Sequence, residues 1–293
     1  MSLLHNRYRM VSHVADGGQG SIYVVFDQSD KSHKVAKIYK HKHSRFLTPF
    51  VRESLGEKIA VELYDKLREK LPWVTSAQRL KRFLERQYGQ IGHLHHSGIL
   101  KPQDVILEEP YCIIMKLIKG GSMRSMLRKK GTLSLDELGA YLAQLANILS
   151  YLHSIGVVHR DLKPENILIE SEGEISISDF DFAHFRQAWP KDLLLSSHYR
   201  NKGTANYMSP EHLRGAIPHY GMDVFSLAVT AYEALTGDLP FGSQIKDRDS
   251  LDHYKPVKIL NERQNDAFRR ALNPDCTQRT ACAVDFYKEL YSI

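Results

Sequence analysis

Cysteine is scarce: the 293 residues hold three, Cys112, Cys276 and Cys282. An odd number cannot pair completely, and none stands in a C-x-x-C or zinc-like arrangement with histidine, so reduced thiols are expected rather than a disulfide scaffold. Long apolar runs are missing as well. Stretches such as Cys112–Met115 fall far short of the roughly 20 residues a spanning helix needs, which predicts no membrane span. Residues 1–10 mix His5, Arg7 and Arg9 with apolar neighbours and lack the continuous apolar core of a secretory signal, so the chain is expected in a cytoplasm. Internal repeats and Pro/Gly/Ser-rich linkers are also lacking, which argues against a solenoid and leaves any boundary to be read from changes of pattern. Charge of one sign is only mildly in excess, 40 Lys plus Arg against 34 Asp plus Glu, a net of +6. That balance suits phosphate-bearing ligands without naming one, and it brings no nucleic-acid module with it. His93, His95 and His96 cluster, yet share no metal-ligand spacing with a second group.

What is present is ordinary globular usage, 42% apolar and 25% charged, in a length that accommodates one large two-lobed domain. The pattern changes once. Residues 8–40 alternate, with strands expected at 23–26 and 35–39 around a turn-like 27–34. Helical periodicity follows at 50–71 and 76–95, then strand-like runs at 104–107 and 111–118. From Leu133 onward a helical stripe dominates, beginning with Leu138, Leu142, Leu145, Leu149 and Leu152. A small sheet-rich part therefore precedes a larger helical one.

Residues 159–166 read His-Arg-Asp-Leu-Lys-Pro-Glu-Asn, and Asp179-Phe180 follows. Here the chain resembles the eukaryotic-type protein kinases of Ser/Thr type. The resemblance implies an α+β, two-lobed protein kinase-like fold with a small antiparallel-sheet N-lobe and a larger helical C-lobe. A kinase domain is expected over 8–290: N-lobe about 8–116 with a helical insertion at about 41–75, hinge about 116–122, C-lobe about 123–290. Phosphoryl transfer asks the protein for positioning and charge neutralisation more than for covalent chemistry. On the family pattern Asp161 orients the attacking hydroxyl and accepts its proton, and Lys163 sets an ammonium near the transferred group. Asn166 and Asp179 supply hard oxygens to Mg²⁺, with Mn²⁺ as a substitute.

Val14-Ala15-Asp16-Gly17-Gly18-Gln19-Gly20-Ser21-Ile22 stands where the family has its phosphate-covering turn. Gly17 and Gly20 match the second and third family glycines, whereas Ala15 replaces the first and Gln19 the usual aromatic. Lys37, on the alternating Val35-Lys37-Tyr39 face, is expected on the α- and β-phosphates of ATP. The segment 112–122 resembles the fifth strand and hinge, where adenine would be read. The expected ATP contacts are thus Val14, Gly17, Gly20, Ile22, Val35, Lys37, Met115, Leu117, Ile118, Ser122 and Leu168.

The chain departs from the family where that lysine normally meets a helix glutamate. Gln87 takes the glutamate's place on the stripe Leu80, Leu84, Ile91, Leu94, with Glu85 on the opposite side. A rival registration gives the pairing to Glu57 or Glu62 in the inserted stretch 50–71, whose stripe Val51, Leu55, Ile59, Leu63, Leu67 is a candidate partner surface. Both registrations stay open from sequence. The third residue of the metal-binding triplet is Asp181 where the family has glycine. It is expected to face solvent, with a carboxylate added beside the metal as the other reading, and to restrict backbone motion.

Further matches imply a protein substrate. They are Gly203–Glu211, resembling the end of the activation segment, Asp223 at the start of a central helix, and Arg279 as ion-pair partner of Glu211. Lys163 and Thr204 match residues used with aliphatic hydroxyls. Arg160 is placed to receive a phosphate on Ser196 or Ser197. ATP-dependent transfer to Ser/Thr hydroxyls of proteins is the expected activity. A nucleotide-binding pseudokinase scaffold and a small-molecule kinase are the alternatives, and delivery as a secreted effector stays open.

Overall fold

The computed structural model describes residues 3–39, 76–186, 205–242 and 248–291. They fall into two compact units. The first takes in 3–39, 76–95 and 100–117; the second takes in 96–99 and the described residues from 118 onward.

The first unit is built on a six-stranded antiparallel sheet: β1 (Leu3–Leu4), β2 (Tyr8–Asp16), β3 (Gly20–Asp27), β4 (Ser32–Tyr39), β5 (Pro102–Ile106) and β6 (Cys112–Lys116), in the order β1-β2-β3-β4-β6-β5. Period-two alternation decides its faces. Leu4, Tyr8, Val25, Ala36, Cys112 and Ile114 form one apolar cluster. The register sets Ile22 opposite Lys37, Val24 opposite Val35, and then Val35 opposite Met115 and Lys37 opposite Ile113. Those residues therefore share the other face. A buried charge network ties the strand ends. Asp27, fully buried, accepts from Arg7 at 2.9 and 2.8 Å, from Lys34 Nζ at 2.7 Å, and from the Ser29 amide and hydroxyl. The Arg7 bonds, followed by those of Lys34 and Ser29, hold the Asp27 carboxyl far below the usual carboxylate range despite burial. Helix α1 (Ser76–Gly92) buries Leu84, Gln87, Tyr88 and Ile91 and leaves Glu85 exposed.

In the second unit, α2 (Met123–Lys130) and α3 (Leu135–Ser154) each start at a capping box, Ser122 with Ser125 and Ser134 with Glu137. The predicted stripe Leu138, Leu142, Leu145, Leu149, Leu152 is the buried face of α3. Short pairs follow: β7 (Val157–Val158) with β10 (His184–Phe185), and β8 (Ile167–Ile169) with β9 (Ile175–Ile177). Then come α4 (Pro210–Leu213), α5 (Gly221–Thr236), α6 (Glu262–Ala271) and α7 (Ala283–Tyr291). Helix α5 is buried almost all round, as its largely apolar sequence favours, and stops at Gly237 in the left-handed conformation. Residues 96–99 pack here because Ile99 bridges Ile177 and the Ile177 amide donates to the Gly98 carbonyl at 2.8 Å. The expected helix 50–71, with Glu57 and Glu62, lies outside the described residues, as do Ser196, Ser197, Gly203 and Thr204.

Candidate active site

In the first unit the strand register brings Ile22, Val35, Lys37 and Met115 onto a common sheet face. Lys37 is 6% exposed. Its ammonium lies 5.4 Å from the ring centroid of Tyr39, two residues on along the same face. The Tyr39 hydroxyl in turn meets that of Tyr88 on α1 at 2.8 Å. Gln87, adjacent to Tyr88, is 9% exposed. Helix α1 thus covers the face that carries Lys37, with Gln87 turned inward and Glu85 outward.

The glycine turn is closed by the Gly17 amide donating to the Gly20 carbonyl at 2.7 Å. Sequence assigns Gly20 to phosphate approach, but its geometry supplies a second requirement. A Cβ at Gly20 would overlap the Ile38 carbonyl oxygen of the neighbouring strand, so that position must be glycine for β3 to pair closely with β4. At Gly17 a Cβ meets only ordinary contact, 3.5 Å from the Gly20 carbonyl oxygen. Val14 is exposed and Leu117 partly buried, whereas Ile118 and Met115 are buried.

The second unit assembles the 159–166 motif. Asp161, 3% exposed, receives Lys163 Nζ on both carboxylate oxygens, at 3.0 and 2.8 Å, and Asn166 Nδ2 on Oδ2 at 2.8 Å. Burial pushes the Asp161 carboxyl above its ordinary range, against the Lys163 ammonium, and the nearby Asp179 charge adds to the rise. Asn166 Nδ2 also donates to the Asp161 carbonyl at 2.7 Å. A carbonyl can only accept, so the amide nitrogen is fixed on that side and Asn166 Oδ1 points away from Asp161. Hard oxygens from Asn166 Oδ1 and the Asp179 carboxylate are the donor chemistry an oxygen-preferring divalent cation takes.

The turn is held from below by α5. Asp223 accepts the amides of His159 and Arg160 at 2.8 Å each and His153 Nε2 at 2.9 Å. Burial alone would raise the Asp223 carboxyl; the bond from His153, the nearby imidazoles and the turn's amide outweigh it and keep it low. His159 Nε2 donates to the Ser178 carbonyl at 3.1 Å, which leaves Nδ1 to accept the Asp161 amide at 3.3 Å. The Ser178 amide donates to the Asn166 carbonyl at 2.9 Å, so the residue preceding Asp179 is stitched to the turn. Phe180 packs edge-on against His159, ring centroids 4.7 Å apart. Arg160 and Asp179 both hold positive φ, 68° and 63°, a conformation costing a non-glycine residue about 1–3 kcal/mol and retained because the surrounding bonds determine it.

One expectation changes, and two further residues make contacts beyond those expected of them. Asp181 does not face solvent: it is 3% exposed, inside the 3-10 turn Phe180–Phe182. That turn winds the backbone with negative φ, so a side chain is accommodated there without strain. Ser122, expected among the ATP contacts, carries a structural duty, since its hydroxyl caps α2 by accepting the Ser125 amide at 3.2 Å. Leu168 bridges Ser122 from β8. Arg160, expected to await a phosphate, is buried and gives Nη2 to His212 Nε2 at 3.2 Å.

Glu211 and Arg279 form a two-pronged pair at 2.7 and 3.0 Å, and Arg279 also donates to the carbonyls of Asn273 and Gly221. Sequence reading did not single out Arg124, Tyr207 or Glu233. Arg124 gives Nε to Glu165 at 2.7 Å, Nη1 to Glu233 at 2.7 Å, and Nη2 to Glu233 at 3.1 Å and to the Tyr207 hydroxyl. One signal was legible. Glu233 is the lone charged residue in the mostly apolar run 227–235, which on a helix buried almost all round calls for a cationic partner.

A family model described as the protein kinase domain matches residues 75–288, and the chain belongs to the protein kinase family. A probable serine/threonine-protein kinase of Clostridium perfringens is 25% identical over 99% of this chain and 39% of its own length. The 3-phosphoinositide-dependent protein kinase 1 of Arabidopsis thaliana is 32% identical over 82% of this chain and 50% of its own. A putative serine/threonine-protein kinase of Mycoplasma pneumoniae is 28% identical over 85% of this chain and 67% of its own. The chain thus spans half or less of the length of the first two. The family match begins after β4 and so does not reach Lys37 or the glycine turn. Among the described residues no helix is long and apolar enough to cross a membrane.

Proposed function

We propose that the protein transfers the terminal phosphoryl group of ATP to Ser or Thr hydroxyls of protein substrates. The observation that carries this reading is the Asp161 carboxylate with Lys163 and Asn166 both on it, on a turn anchored by Asp223. Asp161 orients the attacking hydroxyl and takes up its proton, and Lys163 neutralises charge that develops on the transferred group. Lys37 holds the α- and β-phosphates. Asn166 and Asp179 hold a divalent cation, Mg²⁺ or Mn²⁺, which supplies charge neutralisation on the phosphate oxygens when bound. Val14, Gly17, Gly20, Ile22, Val35, Met115, Leu117, Ile118, Ser122 and Leu168 are the positions we assign to nucleotide contact. The domain is assigned to residues 8–290. Three cysteines, all free thiols, fit a cytoplasmic setting. The stripe at 50–71 is assigned to a partner on sequence grounds alone.

No observation favours a scaffold without catalysis, because the phosphate, metal and hydroxyl-orienting residue types are all retained. The test is transfer of ³²P from labelled ATP to the protein itself and to a generic basic protein. Lys37→Ala, Asp161→Asn and Asp179→Ala should each lower transfer at least about a hundredfold, the scale of losing one preorganised charge-stabilising group, with unfolding temperatures close to wild type. Wild-type turnover in any of the three would overturn the assignment.

A further inference from the structure

The Arg124 guanidinium joins four stretches of chain that lie far apart in sequence. Through Nε it holds Glu165, in the 3-10 turn Pro164–Asn166. Glu165 therefore sits between Lys163 and Asn166, the two residues bonded to the Asp161 carboxylate. Through Nη1 and Nη2 it holds Glu233 of α5, and Nη2 also reaches the Tyr207 hydroxyl. Tyr207 donates to Glu233 in turn, so phenol, carboxylate and guanidinium close a ring of bonds.

Tyr207 belongs to the segment 205–208, which is fixed on its other side by separate groups. Arg248 donates to the carbonyls of Ala205 and Met208, and the Ser226 hydroxyl to the carbonyl of Tyr207 at 2.8 Å. Those bonds hold the segment to the body of the unit but do not touch Glu165. Among the described residues, the direct link between the Glu165 side chain and the 205–208 segment is Arg124. A guanidinium suits this duty because its planar fork presents donors in several fixed directions at once, whereas an ammonium would favour one or two of the three partners.

We propose that Arg124 is a positioning residue for transfer to proteins: it sets the segment 205–208, along which a substrate chain lies, at a fixed register to the turn that carries Asp161. The proposal rests on the kinase reading given above and adds a residue that acts on the protein substrate and not on ATP. A register error between these two stretches displaces the hydroxyl from Asp161 while leaving the nucleotide contacts in place.

The experiment is steady-state transfer to a neutral serine peptide by the full chain, with KM for peptide and for ATP measured separately. Arg124→Ala should raise the peptide KM about tenfold and leave the ATP KM within twofold of wild type, and Arg124→Lys should recover part of the loss. Glu165→Gln, on a side chain 44% exposed, gives a smaller rise and serves if Arg124→Ala does not fold. The double variant Arg124→Ala/Glu165→Gln should be no worse than Arg124→Ala, because Glu165 acts through Arg124. A peptide KM within twofold of wild type in both single variants, an equal rise in both KM values, or multiplicative effects in the double variant would each overturn the proposal. A wild-type protein as silent as Asp161→Asn toward every peptide and protein removes the kinase reading itself, and is seen before any Arg124 variant is made.

Discussion

At the residue scale, one amino-acid type serves unlike ends at neighbouring positions. Gly20 is required by the Ile38 carbonyl on the next strand, whereas Gly17 has room for a methyl group. Gly20→Ala should cost about 1–3 kcal/mol, the range for forcing atoms into a packed site, and Gly17→Ala should leave stability within about 0.5 kcal/mol, as urea denaturation will record. Equal losses in the two variants would remove the distinction. The two glycines look alike in sequence because the motif records spacing; which of them meets a neighbouring strand is a fact of pairing register. The 159–166 motif behaved otherwise, since the contacts of Lys163 and Asn166 with Asp161 depend on local spacing that sequence preserves. Asp181 differs from its expectation for a related reason: a charged residue is read as solvated unless the fold around it is known, and here the 3-10 turn buries it.

At the element scale, the first unit depends on the network around Asp27. Removing that carboxylate takes the buried counter-charge from the Lys34 ammonium, whose side chain is 10% exposed, and leaves it the exposed Asp30 carboxylate. Asp27→Ala should therefore destabilise by about 3 kcal/mol, as found when one partner of a buried pair is deleted; a loss under about 1 kcal/mol in chemical denaturation would contradict the network's role. Helix α1 carries the second prediction. Gln87 lies on the face turned inward beside Tyr88, so Gln87→Glu should preserve or raise activity, by up to about fivefold if a charge-assisted bond to Lys37 gains about 1 kcal/mol. Glu85→Gln, Glu57→Gln and Glu62→Gln should leave turnover nearly unchanged. Strong loss in either of the last two, with Gln87→Ala silent, would move the pairing helix to the inserted stretch. Strands and the long helices were legible because period-two and 3.6-residue stripes are set by burial. The Arg124 ring was not, because it depends on which elements meet.

At the scale of the whole molecule, acid stability follows from buried imidazoles. A guanidinium can only donate, so His212 Nε2 must be the acceptor toward Arg160 and the ring is neutral. Burial first, and then the Arg160 charge, lower its pKa to about 3, with Asp223 and Glu211 opposing and His219 adding to the fall. Burial likewise lowers His159, against Asp223 and Asp179. In the unfolded chain both take up a proton near pH 6.5. Stability is thus complete above about pH 6.5 and falls as pH drops below it, by about 1.4 kcal/mol per pH unit for each imidazole kept neutral. Denaturant titrations between pH 7 and 4 should show this slope, and His212→Gln should reduce it by one proton; an unchanged slope would mean that His212 protonates in the folded state. A last consequence concerns the segment 205–208. Its carbonyls at Ala205, Tyr207 and Met208 all point inward, onto Arg248 and Ser226. A polypeptide laid along this stretch would find no outward row of main-chain acceptors with which to form a strand ladder, so the surface would read its cargo by side-chain shape and charge, and a main-chain amide replaced by an ester should be tolerated there.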